Sequence, residues 1–148
     1  MIGFEISRTR AQALFFDRPQ VRRVVDRATA RALSRSGGMI RLTARRSIRR
    51  RKKPSAPGQP PSSPTGVLRE SIFFAFDPRK RSVAIGPVRL GRSAGDGGSA
   101  GTVPALLEGG GRVRRNRRTL HYRPRPFMGP AFRKIKNRLP RQWANSVR

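Results

Sequence analysis

The sequence predicts a chain that combines helices with an antiparallel hairpin in separate segments. Apolar residues recur three or four apart from Val21 to Ile48, which is typical of one long amphipathic helix. From Ile72 to Ile85 they alternate on both sides of an Asp-Pro turn, which predicts two paired strands. Near the C-terminus, apolar residues are again three or four apart, which predicts a second helix. With 148 residues, the chain is expected to form a single domain over 1–148.

The N-terminal third is predicted to be an arm followed by a basic helix. Alternating apolar and polar residues over 1–16 predict a short strand or an extended arm. Asp17 and Pro19 then have the form of a helix start, with an N-cap oxygen and a proline near the first helical position. The helix is predicted over 17–52. The glycine pair at 37–38 costs about 1 kcal/mol per residue relative to alanine, so we expect a kink or a break there rather than a close backbone contact.

The middle of the chain is predicted to be a connector, a hairpin and a loop. Residues 53–65 are rich in proline, which removes backbone donors, so this segment is expected to be exposed. It is interpreted as a linker, or alternatively as an extended loop that reaches a neighbouring subunit. The hairpin is predicted over 66–87. Residues 88–102 are rich in glycine and are expected to form a flexible loop.

The last third is predicted to hold two helices around a basic segment. Within 103–127 a short helical turn stops at three glycines, and a basic arm or a second hairpin that turns near Asn116 follows it. A C-terminal helix is predicted within 128–148, beginning near Pro130. Pro140 should kink that helix or end its regular part. Its spacing predicts four buried side chains: Phe132, Ile135, Leu139 and Trp143.

The formal charge of +28 lies in two blocks that contain no acidic residue. Arg27 to Arg69 holds twelve Lys or Arg, and Gly109 to Arg148 holds thirteen. The segment between them, Glu70 to Glu108, is nearly neutral, with five basic and four acidic residues. Such an arrangement indicates a polyanion or an acidic protein surface as a partner.

The composition argues against several classes of protein. The absence of cysteine excludes disulfides and thiolate metal sites. No apolar run approaches the roughly 20 residues of a membrane span, and the N-terminus lacks the form of a signal or transit peptide, so a reducing cytosol is expected. His121 is the only histidine, no two carboxylates lie within five residues of each other, and no serine-nucleophile motif occurs. We therefore expect that the chain is not an enzyme and that it has no catalytic, cofactor-binding or metal site.

Nucleic-acid binding is a second interpretation of the arginine content. Several neutralised phosphates would give appreciable nonspecific affinity. However, the sequence has no zinc-finger spacing, no ribonucleoprotein aromatic motif and no clear helix-turn-helix. Tyr122 and Phe127 are the only aromatic residues available for base stacking in the second basic block before its helix. A free basic nucleic-acid-binding protein, of ribosomal or nucleoid type, stays as the alternative.

Three short motifs point to a particular family when they are taken together and in order. Pro64 to Ile72 has the form P-x-G-x-L-x-x-S-I, Leu107 to Gly109 reads L-E-G, and Arg125 to Ala131 reads R-P-F-M-G-P-A. In this order the set resembles the neck and tail-completion proteins of tailed bacteriophages, the head-tail joining or minor tail components. The resemblance covers roughly residues 20 to 145.

The resemblance implies an α+β fold, with a long N-terminal helix and a C-terminal helix packed on a small antiparallel sheet. It also implies a structural virion protein without enzymatic activity, assembled in the host cytoplasm as a hexameric ring at the neck. The neighbours of such a ring are the connector or stopper protein on one side and the tail terminator or tail-tube protein on the other. Genomic DNA passes through the channel, and no membrane is involved.

Six motif residues are interpreted as determinants of the fold: Gly66, Leu68, Ile72, Pro126, Phe127 and Pro130. The glycine permits a positive φ after the connector. The two aliphatic residues should seat the hairpin against the long helix. The phenylalanine should fill the core, while one proline stiffens the approach to the last helix and the other starts it.

Charged residues of the motifs and of the basic blocks are the candidates for contacts with partners. Arg69, Glu108 and Arg125 are predicted to form ion pairs at the subunit or ring interface. A larger basic set is predicted to meet channel DNA or an acidic partner ring: Arg49, Arg50, Arg51, Lys52, Lys53, Arg114, Arg115, Arg117 and Arg118.

Overall fold

The fold is a mixed α+β arrangement, as expected, in a computed structural model that describes residues 18–88, 103–115, 117–144 and 146. A long helix packs on the first of two short hairpins and on the C-terminal helix. The predicted N-terminal strand or arm at 1–16 and the Asp17 cap lie outside the described residues. The predicted glycine-rich loop at 88–102 also lies outside them, apart from Val88.

Helix α1 (Arg18–Ser47) forms the spine of the fold. Its buried face consists mainly of small residues, including Ala28, Ala32 and Ala44, so neighbouring elements can approach its backbone closely. The predicted helix extended to residue 52, but the helix ends at Ser47 and the chain then turns into the proline-rich segment.

The predicted break at 37–38 is wrong, because α1 runs through both glycines without interruption. A Cβ atom on Gly37 would lie 2.8 Å from Phe74 Cδ2 and 2.9 Å from Val83 Cγ2. The first hairpin therefore lies directly against the helix backbone at this point. A close backbone contact, the less favoured alternative from the sequence, therefore explains why position 37 is a glycine. A Cβ atom on Gly38 would meet nothing within 4 Å.

The connector at 53–65 is largely exposed, as predicted, but parts of it are buried against the same chain. Ser55 is 4% exposed and Ser63 is 6% exposed. The Ser63 amide donates to the Arg49 carbonyl at 3.0 Å, and the Gly58 amide donates to the Pro124 carbonyl at 2.8 Å. Two amide donors of this proline-rich segment are thus paired with other parts of the same chain.

The hairpin predicted over 66–87 forms, but a helical turn precedes its strands. Helix α2 (Val67–Glu70) follows Gly66, whose φ of 80° confirms the expected positive value. Strand β1 (Ile72–Asp77) pairs antiparallel with β2 (Ser82–Pro87), in a register that places Ile72 opposite Pro87.

The basic segment after the glycines forms a second hairpin, one of its two predicted forms. Helix α3 (Val103–Gly109) leads into β3 (Gly111–Arg115), which pairs with β4 (Arg118–Tyr122). The two hairpins are separate two-stranded sheets.

The C-terminal helix is shorter than predicted and buries a different face. Helix α4 (Met128–Lys136) is followed by a 3₁₀ turn at Pro140–Gln142, so the proline ends the regular helix as expected. Ala131 and Ile135 are the residues of α4 that face the core. The predicted burial of Phe132 and Trp143 is wrong, since they are 46% and 41% exposed, and Leu139 is only partly buried. Because α4 stops at Lys136, Leu139 and Trp143 no longer continue its helical face, and the face that α4 buries contains Ala131 and the predicted Ile135 rather than Phe132.

The candidate functional site: a motif core and its basic surface

The three sequence motifs meet in one hydrophobic core. The buried cluster combines residues of the first motif and the third motif with the end of α1: Ala44, Ile48, Leu68, Ile72, Phe127 and Ala131. Leu107 of the second motif packs against this cluster. Ile72 and Phe127 are at most 1% exposed, which confirms the predicted anchoring and core-filling roles. Segments far apart in the sequence are thus one structural unit.

The Glu108 carboxylate joins the second motif to the third through hydrogen bonds. Its Oε2 accepts from the backbone amides of Phe127 at 2.9 Å and Met128 at 3.0 Å, and its Oε1 accepts from the Gly129 amide at 2.7 Å. These amides lie at the start of α4, where backbone donors lack partners within the helix and negative charge is favourable. A carboxylate from another element therefore acts as the cap of this helix.

Arg125 also joins distant segments through hydrogen bonds. Its backbone amide donates to the Leu107 carbonyl at 2.6 Å, and its Nε donates to the Ser55 carbonyl at 3.0 Å. One residue thus ties the third motif to the second motif and to the connector. Arg125 and Glu108 were predicted to form interface ion pairs, but their described hydrogen bonds lie within the chain.

Arginines of α1 and the segment after it bind the turn that holds the first motif. Arg45 donates to the carbonyls of Arg69 at 2.8 Å and Glu70 at 2.9 Å. Arg50 forms an ion pair with the Glu70 carboxylate, and its guanidinium covers Gly66 so closely that a Cβ there would lie 2.6 Å from Nε. These contacts involve the backbone carbonyl of Arg69, so the interface role predicted for its side chain stays a prediction. Sequence reasoning missed Arg45, since nothing in the local pattern distinguishes it from the other arginines.

Each of the four carboxylates within the described ranges has a partner in its own chain. Besides Glu108 and Glu70, the Asp77 carboxylate accepts from the amides of Arg79 at 2.9 Å and Lys80 at 3.2 Å in the hairpin turn. Asp26 Oδ1 lies 2.7 Å from Arg81 Nη2, a close charge contact whose angles do not meet those of a hydrogen bond. The described surface therefore offers no unengaged carboxylate to its many cations.

The two predicted basic clusters differ in how they are used. In the first, which follows α1, Arg50 pairs with Glu70 and Arg51 Nε donates to Ser62 Oγ at 2.9 Å. Arg49 is exposed and takes part in the backbone bridge to Ser62, while Lys52 and Lys53 are exposed. In the second cluster, Arg114, Arg117 and Arg118 are exposed, as is a further arginine of the β3–β4 hairpin that the sequence did not single out, Arg112. The side chains of these four have no hydrogen-bond or ion-pair partner among the described residues. We call these four the hairpin arginines. The backbone of Arg115 pairs with that of Arg118.

An apolar groove of about 440 Å³ lies between α1, the first hairpin and the C-terminal segment. Its walls include Leu33, Ile40, Ile85, Phe132 and Trp143. No charged side chain lines it, which is unusual on the surface of a chain with 35 Lys and Arg.

The described residues contain no group of three or more side chains that could hold a metal ion. His121 is exposed on β4, where it lies opposite Arg112. Among the helices described, none has the length and apolar character needed to cross a bilayer.

Comparison of this chain with protein-family models, with curated proteins and with solved structures found no match. The class that the structure defines is a small α+β unit built around a motif core. The resemblance to a family rests on the motif residues themselves.

Proposed function

We propose that this chain is a structural subunit of the neck of a tailed bacteriophage or a related particle, where it joins the head connector to the tail. The observation that carries the proposal is the convergence of the three motifs. Residues of the three motifs lie in or against one core, and the Glu108 carboxylate joins the second motif to the third, so the residues that carry the resemblance form one structural unit.

A ring requires two different surfaces on each subunit, because a head-to-tail contact joins unlike patches. The apolar groove is one such surface. The exposed valines near the start of α1, Val21 at 49% and Val25 at 44%, offer a second apolar patch. We assign the groove to a second copy of this chain, because an uncharged surface lets two strongly cationic subunits approach without placing arginine against arginine.

The oligomeric state tests this assignment. Native mass spectrometry and negative-stain electron microscopy of the purified chain should show a closed ring. Phe132→Ser, in the groove, should shift the mass towards the monomer. Leu120→Ser is the matched control, since Leu120 is 40% exposed on the second hairpin and does not line the groove. A monomer at every soluble concentration, or equal effects of the two substitutions, would contradict the ring assignment.

The location of the protein tests the remainder of the proposal. Purified chain added to an extract that contains unjoined heads and tails should restore complete particles, and cryo-electron microscopy should place it at the neck. Neighbouring genes for a portal protein and a tail tube would be a further expected finding. If the protein is absent from purified particles and binds DNA without forming rings, the free nucleic-acid-binding alternative replaces the neck assignment. The proposal includes no catalytic activity and no cofactor.

A further inference from the structure

We infer that the β3–β4 hairpin is a contact element for the phosphate backbone of duplex DNA, through the hairpin arginines. This site goes beyond the proposed ring and does not depend on it. The inference separates this hairpin from the other basic segments, which the sequence alone treats as equivalent.

The first observation is that the hairpin arginines are exposed and lack an anionic partner within the described part of the chain, whose carboxylates are all engaged elsewhere. By contrast, Arg50 and Arg51 of the first basic cluster bind the turn and the connector. Exposed arginines without a described side-chain partner also lie elsewhere, for example Arg22 and Arg23 of α1, but the hairpin places four of them within seven residues on one two-stranded element.

The second observation is the backbone of Arg117, which has a positive φ of 58° in the hairpin turn. Glycine or asparagine adopts this conformation more easily than arginine. The turn of the first hairpin contains the other positive-φ arginine of the described residues, Arg81, and there the side chain reaches Asp26. Arg117 has no such partner among the described residues, so the fold does not explain its charge. A two-residue hairpin turn favours a positive φ, so the turn accounts for this backbone conformation, and the choice of arginine over glycine or asparagine adds one more unpartnered guanidinium group to the hairpin.

The third observation concerns shape and chemistry. Five-residue strands are about 17 Å long, and the major groove of duplex DNA admits a two-stranded β-ribbon. Arg112 and Arg114 lie on one face, opposite His121 and Thr119, and that face has no apolar residue. Interfaces between proteins have an apolar centre, whereas interfaces with DNA are more polar and strongly positive. This face fits phosphates better than an acidic protein.

Fluorescence anisotropy with a labelled 30-base-pair duplex of mixed sequence, measured over a series of salt concentrations, tests the site in the full chain. In the hairpin variant, Arg112, Arg114, Arg117 and Arg118 are all replaced by Gln. Arg112 and Arg114 lie on the contact face and Arg117 lies in the turn, so about three lost phosphate contacts should reduce the salt slope by about 2.7 and weaken binding up to about two-hundredfold at 0.15 M salt. The charge-matched control replaces Lys52, Lys53, Lys134 and Lys136, all exposed, by Gln. It should change the slope by less than about 1.

Arg117→Gly separates a structural role from a binding role. Glycine relieves the positive φ, so the melting temperature should stay the same or rise, while DNA affinity should fall about fivefold at 0.15 M salt for one lost contact. Equal losses in the two quadruple variants would refute the hairpin site. So would a negligible affinity of the unmodified chain for the duplex at 0.15 M salt, or a preference for poly-glutamate over DNA. Because each binding curve is measured beside the native mass, loss of the ring and loss of the DNA site give different results.

Discussion

Replacing Glu108 by Ala should remove the cap of α4 and loosen the join between the second and third motifs. The carboxylate receives three backbone amides, those of Phe127, Met128 and Gly129, at 2.7 to 3.0 Å. Alanine would leave all three without their acceptor at a partly buried position. Water could reach them only in part, so a large fraction of the loss should appear as reduced stability.

The expected magnitude follows from the number of bonds. Loss of one ordinary N-cap side chain costs about 1 kcal/mol, and a favourable charge at a helix N-terminus adds about 0.3–1 kcal/mol. Three charge-assisted bonds therefore suggest a loss of about 3 kcal/mol for Glu108→Ala. For a chain of this length, the melting temperature should fall by roughly 10 °C. Glu108→Gln keeps one carbonyl oxygen but turns its amide towards one donor, so it should lose about half as much, about 1.5 kcal/mol.

Urea unfolding followed by circular dichroism measures these losses, at one protein concentration because assembly also stabilises the folded state. The matched control is Glu70→Ala, which removes a carboxylate from an ion pair whose side chains are 55% and 61% exposed. Exposed pairs contribute little, so the control should cost less than about 1 kcal/mol. Amide hydrogen exchange should accelerate at residues 127–129 in Glu108→Ala alone. If Glu108→Ala and Glu70→Ala destabilise the chain equally, the capping argument is refuted.

Two further perturbations test the packing of the core. Gly37→Ala should destabilise the chain by about 1–2 kcal/mol in urea unfolding, because overlap with the first hairpin outweighs the gain in helix propensity, whereas Gly38→Ala should stabilise it by about 0.5–1 kcal/mol. Similar effects at the two glycines would show that the hairpin does not lie on the helix as described. Phe127→Ala should cost about 4 kcal/mol, since its side chain is 1% exposed at the meeting point of the motifs. A loss below about 1 kcal/mol in the same assay would contradict its place in the core.

The sequence predicted those elements whose signals are local. Period-2 alternation around an Asp-Pro turn is sufficient for β1 and β2, and a glycine after a proline-rich segment is sufficient for the positive φ of Gly66. Phe127 could be assigned to the core because it is the large apolar residue between two prolines. In each case the determining residues are close together in the chain.

The unpredicted features depend on contacts between distant segments. Glu108 and the amides that it caps are 19 to 21 residues apart, with a hairpin between them, so no spacing rule connects them. The role of Gly37 required the position of the first hairpin, and the exposure of Phe132 depended on which face of α4 is covered by the rest of the chain. The buried points of the connector could not be recognised, because proline content predicts missing donors but not which residues of the segment are covered.

The structure also changes how the charge of this chain should be interpreted. Several arginines of α1 donate to backbone carbonyls: Arg41 Nε to Ile72 at 3.0 Å, and Arg45 to Arg69 and Glu70. These guanidinium groups are constituents of the fold, and their replacement should lower stability before it affects any binding. Net charge therefore overstates the surface available to a polyanion, because the described cations include side chains held by carbonyls or carboxylates as well as side chains without a described partner. Only the second kind can account for a partner, which is why a charge-matched comparison discriminates better than a change in total charge.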